Sequence, residues 1–387
     1  MLSSETLAKA RALFPYTASG RIYLNHAATA PLSTPVVDAM NRHLHDRSLG
    51  RLETYWEDLP MFGECRDRVR QLINAESPER ISLQVNTTDA LNTVASGLQW
   101  KTGDRILLCS AEFPANVYPY LNLRRLGAEL DFMESRSGAV TPEMILRHLT
   151  PRTRLLALSA VQFLSGYRAD LAEIGTLCRC RDIIFAVDGI QAVGAVCVDV
   201  QGMKIDAMAA GSQKWQLAPH GAGFLYLSEA LQSRIAQAHL GWLSVDDPWQ
   251  FYNYDQPLAP GARRYEGGSL VTPSLWGMHA ALGMLLEFDP VAIEDQVLGL
   301  TDMLLNELLS AGGLEVVTPT DRPHRAGIVT VSVPGTIEPT SAWKKILQRD
   351  ITTSLREGKI RISPHFYNTP EEMRTAASAV IDCLGSR

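Results

Sequence analysis

"AAGSQKWQLAPHGAGFLY", residues 209–226, sets Lys214 among small and apolar residues, with glycines close on both sides. The runs that flank it read as core strands, and an ammonium is rarely buried without a partner. Taken alone, Lys214 fits a loop between two strands, pointing into water. A lysine at the end of a buried strand can also form a Schiff base with an aldehyde or act as a base, because burial lowers its pKa. The rest of the chain separates these two readings.

From about residue 80 to residue 230, short β-rich runs alternate with helical stretches. "RISLQV", "DRILLCS", "AELDFME", "RLLALSAV", "IIFAVD", "AMAAG" and "GFLYLS" read as strands. "TTDALNTVASGL", "NVYPYLNLRRLG", "TPEMILRHL" and "DLAEIGTLCRCRD" read as helices. Such alternation implies an α/β fold with βαβ crossovers and a mostly parallel sheet covered on both faces. Ligands in such sheets collect at the carboxyl ends of the strands, so polar residues just after strands are where chemistry is sought.

Four such ends stand out. After "RISLQV" come Asn86, Thr87 and Thr88, with Asp89 in the first turn of the next helix. Free backbone N–H groups, two hydroxyls and a helix N-terminus make a phosphate seat, although Thr87 or Thr88 could instead be a plain N-cap. After "DRILLCS", Phe113 falls where a side chain could cover a flat ring, or could simply be a core aromatic. Asp188 ends the apolar strand "IIFAVD", so its carboxylate needs a partner; a protonated ring nitrogen would serve, and a capping or structural role is the alternative. Gln191, three residues on, could present its amide to a neighbouring polar substituent. With Lys214, these are a phosphate seat, a ring cover, a carboxylate for a ring nitrogen and an amine for an aldehyde. In this order they match the parts of pyridoxal phosphate, and the solvated-loop reading of Lys214 gives way.

The wider composition is compatible. The chain has 387 residues, 46% hydrophobic and 20% charged, enough for a large domain and a smaller one. A net charge of −6 argues against a general nucleic-acid or anionic-membrane binder. No apolar run approaches the roughly 20 residues that span a bilayer. The opening "MLSSETLAKARALFPY" reads as a short amphipathic helix, not a secretory leader. The six cysteines form neither a disulfide framework nor a zinc set, which fits a reducing cytoplasm. Residues 243–262, rich in proline, aspartate and aromatics, read as an irregular connection. The expected division is an N-terminal helical segment (1–20), a large cofactor-binding domain (21–258) and a smaller C-terminal α+β domain (259–387).

"IYLNHAATAPLSTPVVDAM", "VDGIQAVGAVCVDV", "GSQKW", "RRYEGGS" and "IRISPHFYNTPEEM" occur in that order along nearly the whole chain. Together they resemble the class V aminotransferase family of fold-type I pyridoxal-phosphate enzymes. That family includes cysteine desulfurases, selenocysteine lyases, isopenicillin N epimerase-like proteins and kynureninases. The resemblance implies that Lys214 forms the Schiff base, Asp188 pairs with the pyridinium nitrogen and Gln191 contacts the ring hydroxyl. It places Thr87, Thr88, Ser212 and Gln213 on the phosphate, and Ser269 on the phosphate of a partner subunit in a homodimer. Arg361 matches the arginine that grips the substrate carboxylate, a task suited to a bidentate fork. His26 and Ala28 lie on the segment that lines the substrate side.

Departures from the family pattern bear on the reaction. Desulfurases carry a histidine where this chain has Phe113, which can stack but cannot move a proton. They also need a cysteine shortly before the matching arginine, and none occurs between Ala311 and Arg361. Gln213 stands where histidine often precedes the lysine. A persulfide relay is therefore disfavoured. "SAVQFLSGYRADLAEIG" and "RISPHFYNT" look closest to the epimerase-like and lyase-like branch. The expected course is docking of an amino acid on Arg361 and removal of its α-proton by the freed Lys214 amine. Elimination or epimerisation is the favoured outcome, with transamination the alternative. A catalytically silent binding protein on the same fold is the reading of another class, opposed by the presence of Lys214, Asp188 and Arg361.

Overall fold

The computed structural model describes residues 1–51, 54–135 and 137–385. Its strands are β1 (Ile22–Tyr23), β2 (Ile81–Gln84), β3 (Arg105–Cys109), β4 (Glu129–Met133), β5 (Thr153–Ser159) and β6 (Ile184–Asp188). They continue with β7 (Ala207–Gly211), β8 (Gly223–Leu227), β9 (Val329–Ser332), β10 (Ile351–Thr352), β11 (Ser354–Arg356) and β12 (Lys359–Ile362). A seven-stranded sheet runs β2-β8-β7-β6-β5-β3-β4. The pairs β4–β3–β5–β6–β7 are parallel, and β8 lies antiparallel to both of its neighbours.

The strands are apolar throughout because both faces of this sheet are covered. Leu107, Leu156, Phe185, Met208 and Phe224 point into one hydrophobic cluster. Their alternates Ile106, Leu155, Ile184, Ala207 and Leu225 point into the other, against the helix Thr87–Gly97. This period-2 alternation puts Asp188 on the same face as Ile184 and Ala186, at the strand's carboxyl end. Every strand and helix read from residues 80–230 is present. The weakest was "NVYPYLNLRRLG", which forms one α-turn (Tyr118–Leu121) and then a 3-10 turn (Asn122–Leu126) ended by Gly127 at φ 83°.

A third cluster joins Leu24 to Leu300, Leu304 and Leu308 of the helix Pro290–Ser310. Val329, Val331, Ile346, Ile351, Ile360 and Ile362 complete it with the helix Pro370–Leu384. It underlies the antiparallel sheet β11-β12-β9, and β1 pairs in parallel with β10 beside it. The helix Thr272–Glu287 instead gives Leu275, Met278 and Leu282 to the first cluster, with Val36 and Met61. We propose that the smaller unit begins within the helix Pro290–Ser310 and takes in residues 22–24, rather than starting at 259. An edge pairing between residues so far apart in the chain has no local sequence signature.

Residues 243–260 carry no helix or strand, only a bridge between Val245 and Leu258, and the 3-10 helix Gly261–Tyr265 follows. No helix among the described residues is long and apolar enough to cross a membrane.

Candidate active site

The carboxyl ends of β2, β3, β5, β6 and β7 lie at one edge of the sheet, and the turns that follow them make up one candidate site. In it, the loop after β7 presents Lys214, whose Nζ lies 5.7 Å from the ring centroid of Phe113. Burial pushes the amine down to about 8, Asp188 opposes this, and Arg361 and Arg356 add to it. The loop is tight: Leu217, fully buried, takes φ 58° and its N–H donates to the Lys214 carbonyl at 3.1 Å. A left-handed leucine stores about 1 kcal/mol of strain.

Asp188 is buried, and burial raises its carboxyl to about 6 against the N–H of Ile190, which donates to Oδ1 at 2.9 Å. Lys214 pulls it down and Glu112 pushes it up. Oδ2 has no donor among the described residues, so one lone-pair side is open to a cationic N–H.

The phosphate seat differs in detail from the sequence reading. Asn86 is the N-cap of the helix Thr87–Gly97, accepting the Asp89 N–H at 2.9 Å, so neither threonine is the cap. Thr87 accepts the Gly211 N–H at 2.8 Å, which leaves its hydroxyl proton free to donate. Thr88 is exposed in the same first turn, whose N–H groups have no intrahelical partner. A Cβ on Gly211 would lie 2.6 Å from Gln213 Oε1 and 3.3 Å from Thr87 Oγ1, so glycine keeps this cradle open. The Ser212 hydroxyl is fully buried and donates to Gln216 Oε1 at 3.0 Å.

Gln191 also has partners the sequence did not show. Its Oε1 accepts the indole N–H of Trp215 at 2.7 Å and its Nε2 donates to the Ala27 carbonyl at 3.0 Å. One amide proton remains for a ring substituent.

His26 is corrected. It is fully buried, with Nδ1 against the Ser363 carbonyl at 2.8 Å and Nε2 against the Tyr367 hydroxyl at 2.6 Å. Burial and the neighbouring His365 hold it well below the usual imidazole range. Both nitrogens are thus taken by protein partners, within a cluster of edge-on rings from Tyr23, His365 and Tyr367. Ala28 is partly exposed, and its segment is fastened to the lysine loop by the Ala30 N–H to the Gln213 carbonyl at 2.9 Å.

Arg361, on β12, is buried without a carboxylate partner among the described residues. Its Nη1 donates to the Phe163 carbonyl at 2.6 Å and its Nε to Ser354 Oγ at 3.2 Å. Burial, then the charge of Arg356, bring it down to about 9. Phe113 is 43% exposed and meets Phe163 edge to face, with centroids 5.3 Å apart. Ser269 is exposed before the helix Thr272–Glu287, with no hydrogen-bond partner among the described residues.

Sequence reading missed Glu112, the buried neighbour of Phe113. Its carboxylate accepts the Ser159 N–H (2.9 Å), Ser159 Oγ (2.5 Å), Asn116 Nδ2 (3.0 Å) and Gln162 Nε2 (2.9 Å). Ser159 stands opposite Asp188 in the β5–β6 register. An acid just past a strand end was the available signal. Trp215, Ser354 and the Phe163 carbonyl were also missed, and a backbone contact leaves no trace in sequence.

The residues fit pyridoxal phosphate: an amine with lowered pKa, a buried acid with a free oxygen, a glycine-kept cradle at a helix N-terminus and an exposed aromatic face. Comparison with known proteins agrees. The probable cysteine desulfurase of Methanothermobacter thermautotrophicus is 26% identical over 94% of this chain and 95% of its own length. The uncharacterized aminotransferase YcbU of Bacillus subtilis is 26% identical over 96% of each. Among solved structures, a cysteine desulfurase from Thermococcus onnurineus superposes with a TM-score of 0.87 at 24% identity, covering 99% of this chain and 98% of that one. The cystine C-S lyase C-DES gives 0.86 at 23% identity, covering 95% and 99%. The family model for class V aminotransferases matches residues 22–374, so this chain belongs to that family and is a pyridoxal-phosphate-dependent enzyme.

Proposed function

We propose that this enzyme takes an α-amino acid, holds its carboxylate on Arg361 and removes its α-proton with Lys214, ending in β-elimination or epimerisation. The observation that carries the reading is the buried Arg361 guanidinium, held by neutral partners and unmatched by any acid among the described residues. A buried cation of this kind is completed by an anion. When bound, the cofactor supplies an electron sink for the substrate's α-carbon. Asp188 would keep a proton on the cofactor's ring nitrogen, Thr87, Thr88 and Gln213 would hold its phosphate, and Phe113 would offer its exposed ring to the cofactor. Lys214, with its affinity for protons reduced to about 8, becomes available as a base around and above that pH.

Two observations favour cleavage or inversion over a persulfide relay. The β11–β12 hairpin before Arg361 carries no cysteine, and Phe113 has no titratable group. The relatives named cysteine desulfurase and the fold neighbour C-DES, described as a cystine C-S lyase, put cysteine and cystine among the amino acids to test. Transamination is the second reading, because Lys214 is equally placed to return a proton elsewhere. We also propose a homodimer in which Ser269 reaches the partner's phosphate. The exposed aromatics Trp242, Phe251, Tyr252 and Tyr254 on the preceding segment support it.

The test is the visible spectrum of the holoenzyme with a panel of L-amino acids that includes cysteine and cystine. Pyruvate with ammonia supports elimination, a keto acid of the substrate supports transamination, and loss of optical activity alone supports epimerisation. A holoenzyme whose spectrum and turnover survive Lys214→Ala would overturn the assignment of Lys214.

A further inference from the structure

β11 and β12 pair with Ser354 opposite Arg361 and Arg356 opposite Lys359. Side chains alternate along a strand, so Ser354, Arg356, Lys359 and Arg361 share one face of the hairpin. The bond from Arg361 Nε to Ser354 Oγ shows that this face is the one turned towards the Phe163 side of the site. Arg361 is buried at its inner end. Arg356 stands exposed at its outer end, and its Nη1 donates only to the adjoining Leu355 carbonyl at 3.0 Å.

Neither arginine has a carboxylate partner among the described residues. Glu357, next in sequence, sits in the turn at φ 47°, where its backbone carbonyl receives Lys359 Nζ at 3.3 Å. Glu357 lines a cavity of about 200 Å³ with Glu112, Gln162 and Phe163. Arg356, Lys359 and Arg361 thus put three positive charges on one face of the hairpin, with no ion pair to a carboxylate among the described residues. The charge of Arg356 is felt at both Lys214 and Arg361, lowering the proton affinity of each, so it lies within electrostatic reach of both. Two guanidiniums and an amine around one opening are an expensive arrangement that a ligand with two anionic groups relieves.

We propose that Arg356 is a specificity residue that reads a second acidic group on the side chain of the amino acid whose α-carboxylate Arg361 holds, making acidic amino acids the substrate class and inversion at the α-carbon the outcome, since the side chains of aspartate and glutamate carry no β-leaving group. This rests on the Arg361 reading above.

The experiment titrates the holoenzyme with matched pairs, L-aspartate against L-asparagine and L-glutamate against L-glutamine, following the cofactor's visible band. The acid of at least one pair is expected to bind about tenfold more tightly than its amide. Arg356→Gln brings the acid to the level of the amide and leaves the amide unchanged, whereas Arg361→Gln weakens both members. Equal affinity for acid and amide in the wild-type enzyme, or an equal effect of Arg356→Gln on both, overturns the assignment of Arg356 and leaves Arg361 standing. A wild-type enzyme that responds to no amino acid overturns the Arg361 reading and this inference with it.

Discussion

Trp215 donates its indole N–H to Gln191 Oε1 at 2.7 Å, which joins the residue beside Lys214 to the turn that follows Asp188. The same amide donates to Ala27 O at 3.0 Å, so one side chain ties three segments of the site. Gln191→Leu leaves a buried donor and a buried acceptor unpaired. It is expected to cost about 2–3 kcal/mol in chemical denaturation of the holoenzyme and to loosen the cofactor. An unchanged midpoint would show that the tie carries no stability.

Asp188 makes a linkage prediction. Its carboxyl is held at about 6 in the folded protein, above the ordinary value of 3.8. The folded state therefore binds more protons, and cofactor-free stability falls as pH rises from below 4 to above 6. Asp188→Asn keeps an acceptor for the Ile190 N–H and removes the buried charge. The cofactor-free variant is expected to be up to about 3 kcal/mol more stable than wild type at pH 8, and no more stable at low pH. Denaturant titrations at both pH values check this, and cofactor affinity should drop in the same variant.

The amine of Lys214 is expected to titrate near 8 instead of near 10.5. Reaction of cofactor-free protein with pyridoxal, trapped by borohydride, should rise with pH through that midpoint. The charged groups acting on it are Asp188, Arg361 and Arg356. Arg361→Gln should move the midpoint up and Asp188→Asn should move it down. A midpoint above 10 in the wild-type protein would refute the buried-amine account.

Glu112 holds four donors, and its charge raises the proton affinity of Asp188. Glu112→Gln is expected to shift the Asp188-linked pH midpoint of stability downward. Glu112→Leu, which strands every donor, should destabilise by about 3–5 kcal/mol. A midpoint unmoved in Glu112→Gln would reduce Glu112 to a packing element.

Gly327 faces the far edge of Trp215, and a Cβ there would lie 2.3 Å from Cη2 of the indole. Gly327→Ala must push the ring, at an expected cost of about 1–3 kcal/mol, with a change in tryptophan emission from displacement beside Lys214.

The alternation of apolar runs with helical periods was enough to read the α/β layers, and the strand ends were enough to point to Asn86–Thr88, Phe113, Asp188 and Lys214. Those signals are local: a covered strand is apolar along its length, and a polar residue at its carboxyl end has few reasons to be there. Contacts across the fold were not legible. His26 belongs to Tyr367 and Ser363, Ser212 belongs to Gln216, and Glu112 gathers Ser159 and Gln162 from another segment. Which face a side chain takes beyond a strand end depends on the backbone turn there, and which partner it meets depends on how distant segments pack. Residue types and their order were thus set in the sequence, whereas the hydrogen-bond partners of His26, Ser212, Gln191 and Arg361 were decided only by the tertiary structure, because each partner lies on a neighbouring turn or a distant segment brought close by packing.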